Sequence, residues 1–334
     1  MERIAPLGKG LYVGFSIAEI QTIPYYALIN NNLDRANISN HVFFSQLLNS
    51  LHRKSDDGMT AFEIMFSSSK VTNQTYYAQV KMHLVIRQMG KSVDEIKVKL
   101  ESFENSLTNE FTDNFFDISF IKSVEALNKY CEYISKIDTS SITSISKKED
   151  EIISALSQDG YIYQTFIPTP AENVNTSNIS NVLSQYPGCA VILQLIPTYF
   201  NQVELATIEQ VNKAMQYYAA SMMKQMMMRP DLTFQNIANV YQTYQTQTKE
   251  DLFYYNFVVC AQEFCSYDIS SKVVDALEDA TKTGGSSYEA RKLSIANINL
   301  VDFLPILPWQ LSNTLIVTVQ HPVKGTLIFG QNRE

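Results

Sequence analysis

The chain has 334 residues, is 45% hydrophobic and 11% aromatic, and can bury a full core; with only 18% charged residues its composition is that of an ordered protein rather than a disordered one. The formal net charge of -8 argues against a broad non-specific nucleic-acid surface, which needs clustered Lys and Arg, although a small basic patch remains compatible with it. No run approaches the ~20 apolar residues of a membrane-spanning helix, and Met1-Glu2-Arg3-Ile4-Ala5-Pro6 lacks the basic-then-apolar order of a signal peptide.

In chain order, residues 11–17 (Leu-Tyr-Val-Gly-Phe-Ser-Ile) read as a strand and residues 30–35 as a turn. A helix is expected over residues 39–52, with Val42, Phe43, Leu47 and Leu51 on one face, and Ser55-Asp56-Asp57-Gly58 breaks it. Residues 61–71 alternate Phe62, Ile64 and Phe66 as a strand. A turn at residues 72–75 leads to a second strand over residues 76–87, with Ala78, Val80, Met82, Leu84 and Ile86 on one face and Gln79, Lys81, His83 and Arg87 on the other. Ser92 and Glu95 form a capping box for a helix whose stripe is Val93, Ile96, Leu100, Phe103, Leu107 and Phe111. A strand at residues 115–121 and a helix from Ser123, with Val124, Leu127, Cys131 and Ile134 facing in, complete a ββαβα order. This predicts an antiparallel hairpin covered by helices on one face.

Residues 138–148 are Ser/Thr-rich and read as a surface link between an N-terminal α+β subdomain, residues 1–137, and a second one, residues 149–334. The second half repeats the theme loosely. A helix at residues 149–157, a strand at 161–167 and a helix at 176–185 lead to Pro187-Gly188. Residues 189–196 (Cys-Ala-Val-Ile-Leu-Gln-Leu-Ile) then form an almost wholly apolar run, which reads as a strand buried on both faces. Ile208, Val211, Met215, Tyr218, Met222 and Met226 follow at helical spacing until Pro230 stops the longest helix of the chain. Beyond it come a helix at residues 233–247, a strand at 252–260, a helix at 270–280, a loop at 283–287 and a terminal hairpin at 314–329. The pairs 190–228 and 252–280 look like copies of one strand-plus-helix plan.

Motifs with chemistry are scarce. Gly90-Lys91-Ser92 resembles part of a phosphate-binding loop, but the glycine required five residues before the Gly-Lys pair is Val85, inside a strand. Gly8-Lys9-Gly10 and Gly284-Gly285-Ser286 fail the same test. His41, His52, His83 and His321 have no partner at metal-ligand spacing and read as surface or packing residues. There is no Gly-x-Ser-x-Gly elbow. Cys131, Cys189, Cys260 and Cys265 lack CxxC spacing and read as reduced, buried thiols of a cytoplasmic protein. No catalytic, cofactor-binding or metal-ligating residue is therefore assigned, and no cofactor is expected. The cluster Met222, Met223, Met226, Met227 and Met228 has two readings: a helix end buried from several sides, or a docking surface for another subunit or domain. Of these, Met222, Met223, Met226 and Met227 are taken as the candidate interface.

Residues 40–121, with Leu47-Leu-Asn-Ser-Leu-His52, Ala61-Phe-Glu-Ile-Met-Phe66 and Tyr77-Ala-Gln-Val-Lys81, together with Leu195-Ile-Pro-Thr198 leading into the Glu204 helix, resemble the N-terminal region of FtsK/HerA-superfamily ATPases, including the conjugative-secretion ATPases. In that group such a module precedes the motor. The family's activity resides in Walker A and Walker B motifs, neither of which is identified in this chain. The resemblance therefore implies a non-catalytic oligomerisation or docking module of a DNA- or protein-translocating ATPase. Its partners would be other copies of itself or a motor domain; DNA contact is not supported by the net charge. The alternatives are a free-standing structural or assembly protein of a phage or secretion machine, and an enzyme whose carboxylates or cysteines meet only in three dimensions. A cytoplasmic location is expected, with any membrane association made through partners.

Overall fold

The computed structural model describes residues 4–8, 10–22, 46–55, 59–70, 78–111, 116–147, 153–156, 162–165, 176–198, 252–265, 268–281 and 288–292, together with positions 202, 206, 209, 213 and 216 of a helical stretch. The strands are β1 (Ile4–Gly8), β2 (Leu11–Thr22), β3 (Thr60–Lys70), β4 (Ala78–Gly90), β5 (Phe116–Phe120), β6 (Thr143–Lys147), β7 (Ile153–Leu156), β8 (Ile162–Thr165), β9 (Cys189–Thr198), β10 (Leu252–Ala261) and β11 (Tyr288–Lys292). The helices are α1 (residues 46–53), α2 (Val93–Phe111), α3 (Val124–Ser135), α4 (Thr176–Ser184) and α5 (Ser270–Thr281). The class is α+β.

All strands except β7 and β8, which pair with each other, join one antiparallel sheet in the order β1-β2-β4-β3-β9-β10-β6-β11, with β5 also on β2. That order contains the same unit twice. In the first half β2, α1, β3, β4, α2 and β5 follow one another in sequence, and their strands lie in the order β5-β2-β4-β3. In the second half β6, α4, β9, β10, α5 and β11 follow, and their strands lie in the order β11-β6-β10-β9. Each half is thus a βαββαβ unit of the ferredoxin-like kind, in which two helical crossovers each straddle an intervening strand. The β7–β8 hairpin is an insertion between β6 and α4 of the second unit.

The two units meet through β3 and β9, paired from Phe62 with Leu195 to Ser67 with Ala190. Both strands are central, which explains why residues 189–196 are apolar on both faces. One face of the sheet carries Phe62, Ile64, Phe66, Leu84, Ile86, Leu193, Leu195, Phe253 and Phe257 against Leu47, Leu48 and Leu51 of α1, the α2 stripe, Ile179 and Leu183 of α4, and Val273 and Leu277 of α5. Full burial of side chains such as Leu47, Ile64, Leu84 and Ile96 contributes about 1.5–3 kcal/mol each. At Gly14 in β2 a side chain would collide with Ile96, so the glycine lets α2 sit directly on the sheet.

The opposite face packs Ile17, Ala61, Met65, Val85, Ala190, Ile192, Ile196 and Val258 against Tyr130 and Ile134 of α3. Helices α1, α2, α4 and α5 lie on the first face and α3 on the second, so the two helices of the expected ββαβα unit, α2 and α3, cover opposite faces rather than one. Within α3 the inward set is Leu127, Tyr130, Tyr133 and Ile134, while Val124 and Cys131 are exposed, contrary to the expected stripe. Tyr133 turns inward to donate its hydroxyl to the Cys189 carbonyl, and Tyr130 packs within the cluster on that face.

Residues 138–147, the described part of the expected surface link, do not form one. Thr143–Lys147 is β6, which lies between β10 and β11, and Ile142, Thr143, Ser144 and Ile145 are buried. Strands from both sides of this segment share one sheet. Residues 153–156, expected within a helix, are β7. The expected turn at residues 30–35, helix at 233–247, loop at 283–287 and terminal hairpin lie outside the described residues.

Candidate functional site

The unusual chemistry of the described residues lies on the α3 face, at the junction of the two units. Register places Ile17, Val85, Glu63, Gln194 and Asn256 in one row across β2, β4, β3, β9 and β10. The adjoining rows carry Phe15, Arg87 and Ala61 on one side and Glu19, His83 and Met65 on the other. A strand alternates its side chains, so Glu63, His83, Arg87 and Gln194 all leave the sheet on the side that α3 covers. Tyr130 enters the same layer from α3.

Glu63 is only 2% exposed, and both its carboxylate oxygens are sealed from solvent. Burial holds its carboxyl up at about 7, from an ordinary 4.5, despite the nearby Arg87 charge. Gln194 and Tyr130 adjoin the carboxyl and pull the same way as Arg87, yet neither forms a well-shaped hydrogen bond to its oxygens. Burial likewise pushes the Arg87 guanidinium below its ordinary value, with Glu63 opposing, and drives the Tyr130 phenol upward. Arg87 also lies over the Phe15 ring, 5.9 Å from its centroid. His83 stacks edge-on against Tyr130 at 5.2 Å, and burial lowers its imidazole to about 4, with Glu19 opposing and Lys81 adding to the fall. At neutral pH the layer holds a neutral imidazole and a carboxyl close to half-protonated.

One end of the β3–β9 junction is closed by hydrogen bonds. Tyr133 donates its hydroxyl to Cys189 O at 2.8 Å and lies 3.2 Å from Ser68 O. The Ser68 hydroxyl accepts from Cys189 N at 3.0 Å, and its single proton is shared between Tyr186 O at 2.5 Å and Cys189 O at 2.9 Å. The Tyr133 contacts tie α3 to this end of the junction. A buried carboxyl beside a tyrosine and an arginine has the composition of an acid–base site, but a substrate would have to displace α3 to reach Glu63.

The Gly90-Lys91-Ser92 segment is the end of β4 and the start of α2. Ser92 Oγ accepts from Glu95 N at 3.2 Å, and Glu95 Oε2 accepts from Lys91 N at 3.2 Å. The helix start is capped by its own carboxylate, in the position a phosphate would need. His52 is 1% exposed and packs edge-on against Phe253 at 5.2 Å, a packing role. Cys189 and Cys260 are buried as expected, Cys265 is partly exposed and Cys131 exposed; all four are free thiols. Met222, Met223, Met226 and Met227, as well as His41 and His321, lie outside the described residues.

Sequence reasoning missed Glu63, Tyr130 and Gln194, and placed His83 and Arg87 on a polar strand face without assigning them a role. The available signal was Met65 and Val85, apolar residues on that supposedly polar face. Among the described residues no group of three His, Cys, Asp or Glu side chains is placed to hold a metal, and no helix is long and apolar enough to cross a membrane. Comparison of the chain with protein-family models and with curated proteins finds no match.

Proposed function

We propose that this chain is a non-catalytic oligomerisation and docking module of a DNA- or protein-translocating ATPase. The observation that carries the reading is the continuous sheet formed where β3 meets β9. Two βαββαβ units share one sheet and one core, and the ionisable Glu63 and His83 are buried beneath α3. That is the construction of a scaffold rather than of a substrate cleft. The capped start of α2 supports the same reading, because its helix terminus is occupied by Glu95. Binding energy would then come from surfaces presented to other copies of the chain or to a motor domain.

Light scattering over a range of concentrations, with ATP turnover measured on the same samples, tests this. The expected result is a mass that rises above the 38.0 kDa of one chain, with no ATP hydrolysis. A strict monomer at every concentration, or turnover that survives purification to homogeneity, would overturn it.

A further inference from the structure

Three thiols gather where β9 begins and β10 ends, and the pleat sorts them. Cys189 stands opposite Ala261, and Cys260 opposite Ala190, so the two thiols leave opposite faces of the sheet. Cys189 enters the core that α4 and α5 cover; Cys260 enters the one beneath α3. Cys265, in the connection from β10 to α5, packs against the cluster that holds Cys189. Direct contact between Cys189 and Cys260 is therefore barred by the sheet, while Cys189 and Cys265 share a side.

The backbone locks this arrangement. Gly188 N donates to Ser68 O at 2.9 Å, Gln262 N to Gly188 O at 2.7 Å, and Cys265 N to Gln262 O at 2.8 Å. The Cys265 thiol donates to Pro187 O at 3.2 Å. Gly188 has a φ of 85°, and a side chain there would collide with Cys265 Sγ. The Cys265 sulfur thus lies over the residue that precedes Cys189. Burial first, and the adjoining Cys265 thiol second, hold the Cys189 thiol up at about 12, so it is a poor first nucleophile.

Cys265 is reachable. It borders a cavity of about 210 Å³ whose wall also includes Asp138, Ser141, Asp268 and Lys292. Asp138 caps Ser140 N and Asp268 caps Ser270 N, so both carboxylates are already engaged.

We propose that Cys265 is a peroxide-reactive thiol and that Cys189 is its resolving partner. In the first step the Cys265 thiolate attacks one oxygen of hydrogen peroxide. An S–O bond forms, the O–O bond breaks and the second oxygen leaves as water, giving a sulfenic acid. In the second step the Cys189 sulfur, losing its proton, attacks the sulfenic sulfur. The S–O bond breaks, a second water leaves and a Cys189–Cys265 disulfide remains. Overall, two thiols lose two electrons and two hydrogens, and one peroxide is reduced to two waters. The bond ties the first residue of β9 to the connection that launches α5.

The test treats the whole chain with hydrogen peroxide and maps linked peptides by mass spectrometry, with circular dichroism confirming the fold. The expected product is a Cys189–Cys265 peptide pair lighter by two hydrogens. It should be restored by dithiothreitol, absent in Cys265→Ala and Cys189→Ala, and retained in Cys260→Ala. Cys265→Ala should leave Cys189 unmodified, whereas Cys189→Ala should leave a sulfenic acid on Cys265 that dimedone traps. A folded protein with Cys265 still reduced would overturn the proposal. So would Cys265 carried to sulfinic acid without a link, or a link through Cys131 or Cys260.

Discussion

Replacing Glu63 by Gln keeps the shape of the side chain and removes its titration. In the folded chain Glu63 binds a proton up to about pH 7, whereas in the unfolded chain it does so only up to 4.5. Between those values the native state holds more protons than the unfolded state, so stability falls as pH rises. The contribution is fully present below 4.5 and lost as pH passes through 7; integrated over the window it amounts to about 3 kcal/mol. His83 has the opposite sign. Its folded value of about 4 lies below its ordinary 6.5, so its contribution is present above 6.5 and lost as pH falls through 4. In the wild type the two slopes oppose each other between 4.5 and 6.5, and the stability profile there is nearly flat. Glu63→Gln uncovers the His83 slope. Urea unfolding at a series of pH values from about 4.5 to about 8 measures this directly. The difference in stability between variant and wild type should shift by about 3 kcal/mol across that range, in favour of the variant at high pH. A difference that stays constant with pH would refute the argument, because it would mean that Glu63 titrates alike in both states.

Three further outcomes follow from the same geometry. His83→Asn removes the slope that opposes Glu63, so stability should fall as pH rises from 4.5 to 7 where the wild type stays nearly flat up to 6.5, read by the same unfolding series. Ser92→Ala removes the acceptor of the Glu95 amide and should cost about 1 kcal/mol in thermal or urea unfolding, without changing nucleotide affinity in a binding titration. Tyr133→Phe deletes a hydroxyl whose carbonyl acceptor Cys189 O keeps the Ser68 hydroxyl as a partner. It should therefore cost only about 1 kcal/mol, with hydrogen exchange rising in α3 before the rest of the chain.

The elements that sequence reasoning reached are those whose local pattern agrees with their tertiary setting. Phe62, Ile64 and Phe66 alternate toward the four-helix face, and the Ser92–Glu95 box announces α2. The almost wholly apolar run of β9, interrupted only by Gln194, reflects its central place in the sheet. Elements whose identity depends on distant partners escaped. β6 is short and built of Thr, Ser, Ile and Lys, so its composition is that of a loop until β10 and β11 pair with it. β7 has only four residues, too few for a period of 2 to be told from one of 3.6. The doubled βαββαβ plan was visible only as a loose repetition of strand and helix, because strand order is a property of pairing and not of spacing. The polar layer was missed for a related reason. Glu63, His83, Arg87 and Gln194 occupy alternate positions that look solvent-facing, and only the covering α3, with Tyr130 and Tyr133 on its inner side, buries Glu63, His83 and Gln194 and half-buries Arg87.

The reading of this chain as a motor-associated module is tested most directly by the natural gene product, through its intact mass together with the codons that follow Glu334. The account predicts a product larger than 38.0 kDa that carries a Gly-x-x-x-x-Gly-Lys-Ser/Thr loop downstream, or a tightly co-purifying ATPase that does. A product of 38.0 kDa that purifies without any such ATPase would contradict it.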